Sequence, residues 1–209
     1  QPAEKDFRLT RACLEVALEA RQPMTLITKN ALVTRDLDLL REMAAMNLVR
    51  VALSVTSLRQ ELTRIMEPRT SAPQARIAAI KTLNDSGVPT FLMTAPIIPG
   101  LNDSEIPAIL QAGSEAGAEG ASYVLLRLPT TVCEVFFEWL ERQLPDEAEK
   151  VKGRVRSTRE GRDNSAEFGK RMRGTGLIAD QIAQTFKVFA AKYGLDNSKL
   201  TPLDCSQFR

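Results

Sequence analysis

The chain alternates apolar runs of strand length with segments whose apolar residues recur at helical spacing, and it does so four times. The runs are Met24–Asn30, Val49–Ser57, Thr90–Gly100 and Ser122–Pro129. Each is apolar in its body and ends in groups able to hold a ligand: Thr28-Lys29-Asn30, Ser54-Val55-Thr56-Ser57, Pro96-Ile97-Ile98-Pro99-Gly100 and Arg127-Leu128-Pro129. Between the runs, Thr34 is placed to cap a helix with Leu37, Leu40, Met43 and Ala44 on one face. Ser57 opens a shorter helix, Leu58 to Met66, that ends before Pro68. A third carries Ile77, Ile80 and Leu83 and stops at Asp85-Ser86-Gly87. Asn102-Asp103 starts a fourth, through Ala116, with Pro107 in its first turns. Ahead of the first strand, Asp6 to Arg21 reads as a helix with Leu9, Cys13 and Val16 in the core. That reading makes Cys13 a small buried hydrophobe.

Successive strands start roughly 25 to 40 residues apart, the span of a βαβ unit. Right-handed crossovers then give an ordered, curved, parallel sheet, hence an α/β fold. In such a sheet all four strand ends fall on one edge, where these folds place ligands. Residues 1–145 hold this pattern. Residues 146–209 hold no strand-like run and read as a basic, helical C-terminal extension packed on the barrel, with Leu177 to Tyr193 as its clearest helix.

Composition narrows the chemistry. With 209 residues, 44% of them hydrophobic and 26% charged, the chain can build an ordinary core. Its apolar runs are too short and interrupted for a transmembrane helix, and residues 1–8 do not form a signal peptide. The three cysteines, Cys13, Cys133 and Cys205, lie far apart and suit a reducing cytoplasm. There is no histidine, which removes Ser-His and Cys-His nucleophile pairs and imidazole ligation. No cysteine pair has metal-site spacing. The absence of an initiator Met makes the start read as a cut edge.

The strand ends are the candidate chemistry. Lys29 reads either as a solvated loop lysine or as a point charge for a carboxylate or phosphate. Ser54 and Thr56 share one side of their strand by the two-residue period. They are either a propensity effect or a pair of hydroxyls facing a polar ligand. Pro96 to Gly100 is either a generic turn or a stiff apolar loop that sets Ile98 against a flat ring. Arg127 is either an ion-pair partner in the mouth or an anion ligand. Between Lys150 and Arg173, nine Lys or Arg face three acids, a balance that favours polyanions. Aromatic residues are nearly missing there, so nucleic acid is not the favoured partner. No Walker loop or GxGxxG fingerprint occurs.

In order and spacing, Leu26-Ile27-Thr28-Lys29-Asn30, Val51-Ala52-Leu53-Ser54-Val55-Thr56, Ala95 to Asp103 and Tyr123 to Pro129 resemble the radical S-adenosylmethionine superfamily, nearest its Fe–S oxidoreductases grouped with spore photoproduct lyase. Arg156-Ser157-Thr158-Arg159 and Phe168 to Gly176 resemble that subgroup's C-terminal pattern. The resemblance implies four of six βα units, the third to the sixth, of a partial (β/α) barrel. Gln1-Pro2 through Glu4 look like the residues just after the second strand's polar motif. It implies S-adenosylmethionine and a [4Fe–4S] cluster as cofactors, the cluster held by a CxxxCxxC loop that this sequence does not contain. Lys29 and Ser54 would hold the methionine carboxylate or ribose, with Thr56 adding a polar contact. Pro96, Ile98 and Leu126 would line the adenine pocket, with Arg127 beside them. The implied activity is reductive cleavage of S-adenosylmethionine to start hydrogen abstraction on an unknown substrate, with electrons from a flavodoxin or ferredoxin. This piece alone is then expected to be inactive. The alternative is a stand-alone α/β module binding a phosphorylated ligand or nucleic acid.

Overall fold

A computed structural model describes residues 3–209, with the backbone only at Lys199; the likeness drawn on Gln1-Pro2 lies outside them. The bodies of the four apolar runs are extended: β1 (Met24–Thr28), β2 (Val49–Ser54), β3 (Thr90–Ile97) and β4 (Gly120–Leu125). They form one parallel sheet in the order β1-β2-β3-β4. Leu26 pairs with Val51, Leu53 with Leu92, and Leu92 with Ala121. The register breaks between Thr94 and Ile97. Every run proved longer in sequence than its strand. The last residues of each run, from Lys29, Val55, Ile98 and Leu126 onward, leave the strands and become the loops of a single edge.

The helices are α1 (Glu4–Phe7), α2 (Leu9–Glu19), α3 (Leu37–Ala45), α4 (Gln60–Met66), α5 (Pro73–Asp85), α6 (Ile106–Glu115), α7 (Val132–Gln143), α8 (Pro145–Ser157) and α9 (Leu177–Lys192). Side chains alternate across a strand. Val49, Val51 and Leu53 of β2, Leu92 of β3 and Ala121, Tyr123 and Leu125 of β4 therefore face the helices. There they share one core with Leu14, Leu40, Met43, Ile80, Leu83, Ile109, Ile182 and Phe186. A second core lies beyond the strand ends, where Ile98, Leu101, Leu126 and Leu128 meet Leu62, Leu140, Val151 and Val155. This one seats α7 and α8 over the β3 and β4 loops.

Three local expectations change. Cys13 is exposed, as are Leu9 and Val16, and the core face of α2 is Leu14 and Ala17 instead. The helix has apolar residues on more than one side, and periodicity alone does not choose between them. The predicted helix also breaks at Arg8, which has φ 49°. Thr34 does not cap: a 3-10 turn, Ala31–Asp36, precedes α3, and Asn30 caps that turn by accepting from Leu32 N at 2.9 Å. The basic stretch begins inside α8, which the sequence pattern did not show.

The two edges of the sheet differ. β4 is covered: Leu125 N donates to Met172 O (2.9 Å) and Ala121 N to Leu195 O (3.1 Å). From Leu195 the tail crosses the start of the sheet. Arg50 donates to Thr201 O, Asp204 N to Asn47 O, and Arg209 N to Ala20 O. On the other side β1 has no further strand partner among the described residues.

Packing between sheet and helices is close enough to test. A Cβ on Gly113 of α6 would lie 2.6 Å from Cδ2 of the fully buried Leu92. Gly113→Val is expected to cost about 2–3 kcal/mol by overpacking, read as a lower urea midpoint at unchanged slope.

Candidate functional site at the strand ends

The chemistry collects where β1 and β2 end. Lys29 follows β1; Ser54 closes β2, and Thr56 lies two residues on, so both hydroxyls fall on the same side. Ser54 and Thr56 are buried and Lys29 is half-buried. The register break in β3 leaves the Ala95 carbonyl free to accept from Ser54 Oγ (2.9 Å) and Thr56 Oγ1 (3.4 Å). With its proton given to Ala95, the Ser54 hydroxyl keeps acceptor capacity only.

Lys29 is not a free point charge. Its ammonium is paired with Glu67, at the end of α4. The same carboxylate oxygen accepts from Thr56 Oγ1 at 2.8 Å, and the other oxygen from Arg76 at 2.8 Å. Arg76 lies on α5 and is 1% exposed. It also donates to Ser54 O (2.9 Å) and Ser71 O (2.7 Å), and to the Thr70 hydroxyl. Its guanidinium therefore joins the end of β2 to the loop between α4 and α5, and through Glu67 to Lys29. One carboxylate between two cations leaves one positive charge in excess at the end of β1. Two of the three ammonium donors of Lys29 remain for a ligand.

Desolvation alone would raise the Glu67 pKa. The Lys29 ammonium and the Arg76 guanidinium outweigh it and hold the carboxyl below its usual range.

The loop after β3 is braced from within. Asn102 is 1% exposed; its side chain accepts from Ile98 N (2.7 Å) and donates to Thr56 O (2.8 Å) and Pro96 O (3.1 Å). Glu105 clips the β2 loop by accepting from Ser57 Oγ (2.7 Å) and Leu58 N (2.8 Å). Pro96 is half-buried, while Ile98 and Leu126 lie in the second core, Ile98 only 1% exposed. Arg127 follows β4, at the opposite end of the strand order from β1. The structure thus brings Lys29, Ser54 and Thr56 together. It sets Pro96 beside them through the β3 loop, and leaves Ile98 enclosed and Arg127 apart.

Glu67, Arg76 and the bracing role of Asn102 were not read from sequence. Arg76 had a signal: it occupies the buried stripe of α5 with Pro73, Ile80 and Leu83, and a charge at such a register needs a partner. Glu67, beside Pro68 at a helix end, had none. Cys13, Cys133 and Cys205 are all free thiols. Among the described residues no group of three or more His, Cys, Asp or Glu is placed to hold a metal. The residues present therefore do not fit a [4Fe–4S] cluster. No described helix is long and apolar enough to cross a membrane.

This arrangement has relatives. The Radical SAM superfamily profile matches residues 3–112. An uncharacterized protein of Mycobacterium tuberculosis is 33% identical over 148 residues, which is 70% of this chain and 44% of that protein. An uncharacterized protein of Methanocaldococcus jannaschii is 35% identical over 105 residues, 50% of this chain and 39% of its own length. In fold, the chain is similar to a mutant of spore photoproduct lyase, with TM-score 0.56 and 15% identity over 88% of this chain and 52% of that one. The chain belongs to the radical SAM superfamily, and its sheet is part of that βα barrel. It spans less than half the length of the curated relatives above.

The buried charges set a pH dependence. Because the folded pKa of Glu67 is lowered, its contribution is complete above the unfolded carboxyl value, about 4.3, and is lost as pH falls through the folded value. Glu67→Gln is expected to cost about 3 kcal/mol at pH 7, by stranding Arg76 and Lys29. Denaturant titrations should show this deficit narrowing below pH 4.

Proposed function

We propose that this chain forms the cofactor-holding part of a radical S-adenosylmethionine enzyme, with Lys29 receiving the methionine carboxylate. The observation that carries this is the uncompensated positive charge of Lys29, Glu67 and Arg76 at a strand end, beside buried hydroxyls. A carboxylate balances that charge and takes the spare ammonium donors. Ser54, whose proton is committed to Ala95, is left to accept from a ribose hydroxyl, and Thr56 holds Glu67 so that Lys29 stays aimed. Pro96, fixed by Asn102 through its carbonyl, forms the stiff wall next to them. Ile98 and Leu126 support that wall from the core behind it.

When bound beside a reduced [4Fe–4S] cluster, S-adenosylmethionine supplies hydrogen-atom abstraction chemistry. The cluster ligands are assigned to protein outside these 209 residues, and the electrons to a flavodoxin or ferredoxin in the cytoplasm. The contribution of this chain is to bind and orient. Its buried hydroxyls and packed loops keep water from the ligand.

Much of the basic stretch is already spent internally. Lys152 pairs with Glu141 and Glu149, Arg154 with Asp103, Arg156 with Asp163, and Lys170 with Glu160 and Glu167. This favours a small substrate over a polynucleotide.

The test is equilibrium binding of S-adenosylmethionine by the full-length protein, reconstituted anaerobically, with formation of 5′-deoxyadenosine as a second readout. Lys29→Ala should weaken binding at least tenfold, about 1.4 kcal/mol, and Ser54→Ala should weaken it less. Unchanged affinity in both variants would refute the assignment.

A further inference from the structure

Two arginines at the end of β4 have no acid to answer them. Arg159 follows α8 and is 2% exposed. It spends one terminal nitrogen on Leu126 O (2.7 Å) and the other on Lys170 O (3.2 Å), while its Nε is buried without a partner. Arg127, half-buried on the neighbouring strand end, places one nitrogen 3.8 Å from the Met172 sulfur. Its Nε is also buried and unpartnered. Among the described residues neither guanidinium forms a salt bridge, in contrast to Arg76, whose burial is compensated by Glu67. Burial, and after it the charge of Arg127, push the Arg159 pKa down, so the two cations oppose each other. A buried charge without a counter-ion is unfavourable, and two of them on the ligand edge of a parallel sheet form a receptor for an anion.

We propose that Arg127 and Arg159 bind a phosphate monoester group of the small molecule on which this protein acts. Two guanidiniums match a phosphate dianion in charge; Arg127 offers the fork, and Arg159 adds its charge and the Nε–H that its carbonyl bonds leave over. A carboxylate would leave one charge over. The carbonyl bonds of Arg159 fix its guanidinium next to the strand end, so little ordering is needed on binding. The role in substrate binding rests on the cofactor assignment above; the anion site itself does not.

Inorganic phosphate, ribose 5-phosphate, acetate and octathymidylate, titrated calorimetrically into the whole protein, test this. Phosphate and ribose 5-phosphate should bind, acetate at least tenfold more weakly than either. Arg127→Gln should lower phosphate affinity tenfold or more, with Arg127→Lys intermediate. Arg159→Lys serves as the second variant, and thermal melts identify any that fail to fold. Phosphate binding lost in Lys29→Ala but kept in Arg127→Gln would place the anion at the β1 end and overturn the proposal. So would affinity unchanged in every folded arginine variant, or octathymidylate binding more tightly than the monoester. S-adenosylmethionine binding, measured on the unaltered protein in the same series, reads the cofactor assignment separately.

Discussion

The buried guanidinium of Arg76 is the constraint on which the strand-end site depends. It sits where an apolar side chain would otherwise fill the contact between α5 and β2, and it is tolerated because each of its nitrogens has an acceptor. Those acceptors are the loop and strand ends that must be held still: the β2 terminus at Ser54, the α4–α5 connection at Ser71 and the Glu67 carboxylate. A buried ion pair contributes little net stability over a well-packed apolar contact. What this one provides is position. Glu67 cannot swing toward solvent without stranding Arg76, so Lys29 and Thr56 are aimed by a group anchored in the core.

The same division runs across the sheet. At the β1 and β2 ends, charge is balanced to within one unit and the hydroxyls are committed; at the β4 end, positive charge is left without an answer. Between them Asn102 braces the β3 loop through Ile98 and Pro96 and ties it to the β2 loop through Thr56 O, and Glu105 ties the β2 loop to the start of α6. The mouth is therefore a rigid rim with polar chemistry at its two ends and an apolar, proline-stiffened middle.

Much of the fold was legible because burial repeats along a sequence. Four apolar runs gave four strands in the expected parallel order, and the stripe of α5 identified Ile80 and Leu83 as core. Where a helix has apolar residues on two sides, as α2 does, the pattern could not choose, and Cys13 was misplaced. The site was legible only in part. Lys29, Ser54 and Thr56 are strand-end residues, found by position. Glu67 and Arg159 are brought there by chain folding from 38 and 33 residues away from the groups they meet, and no local pattern announces such a pairing. Arg76 was the exception, a charge standing in an apolar stripe.

The C-terminal tail crosses the start of the sheet from the β4 side, where Leu195 meets Ala121, to the residues before β1, where Arg209 meets Ala20. It runs like a bowstring between the two ends of the arc, on the side away from the mouth. Shape and chemistry are thereby held by different parts of the chain. The rim loops can therefore be altered to suit another ligand without touching the contacts that tie the start of the sheet to the tail.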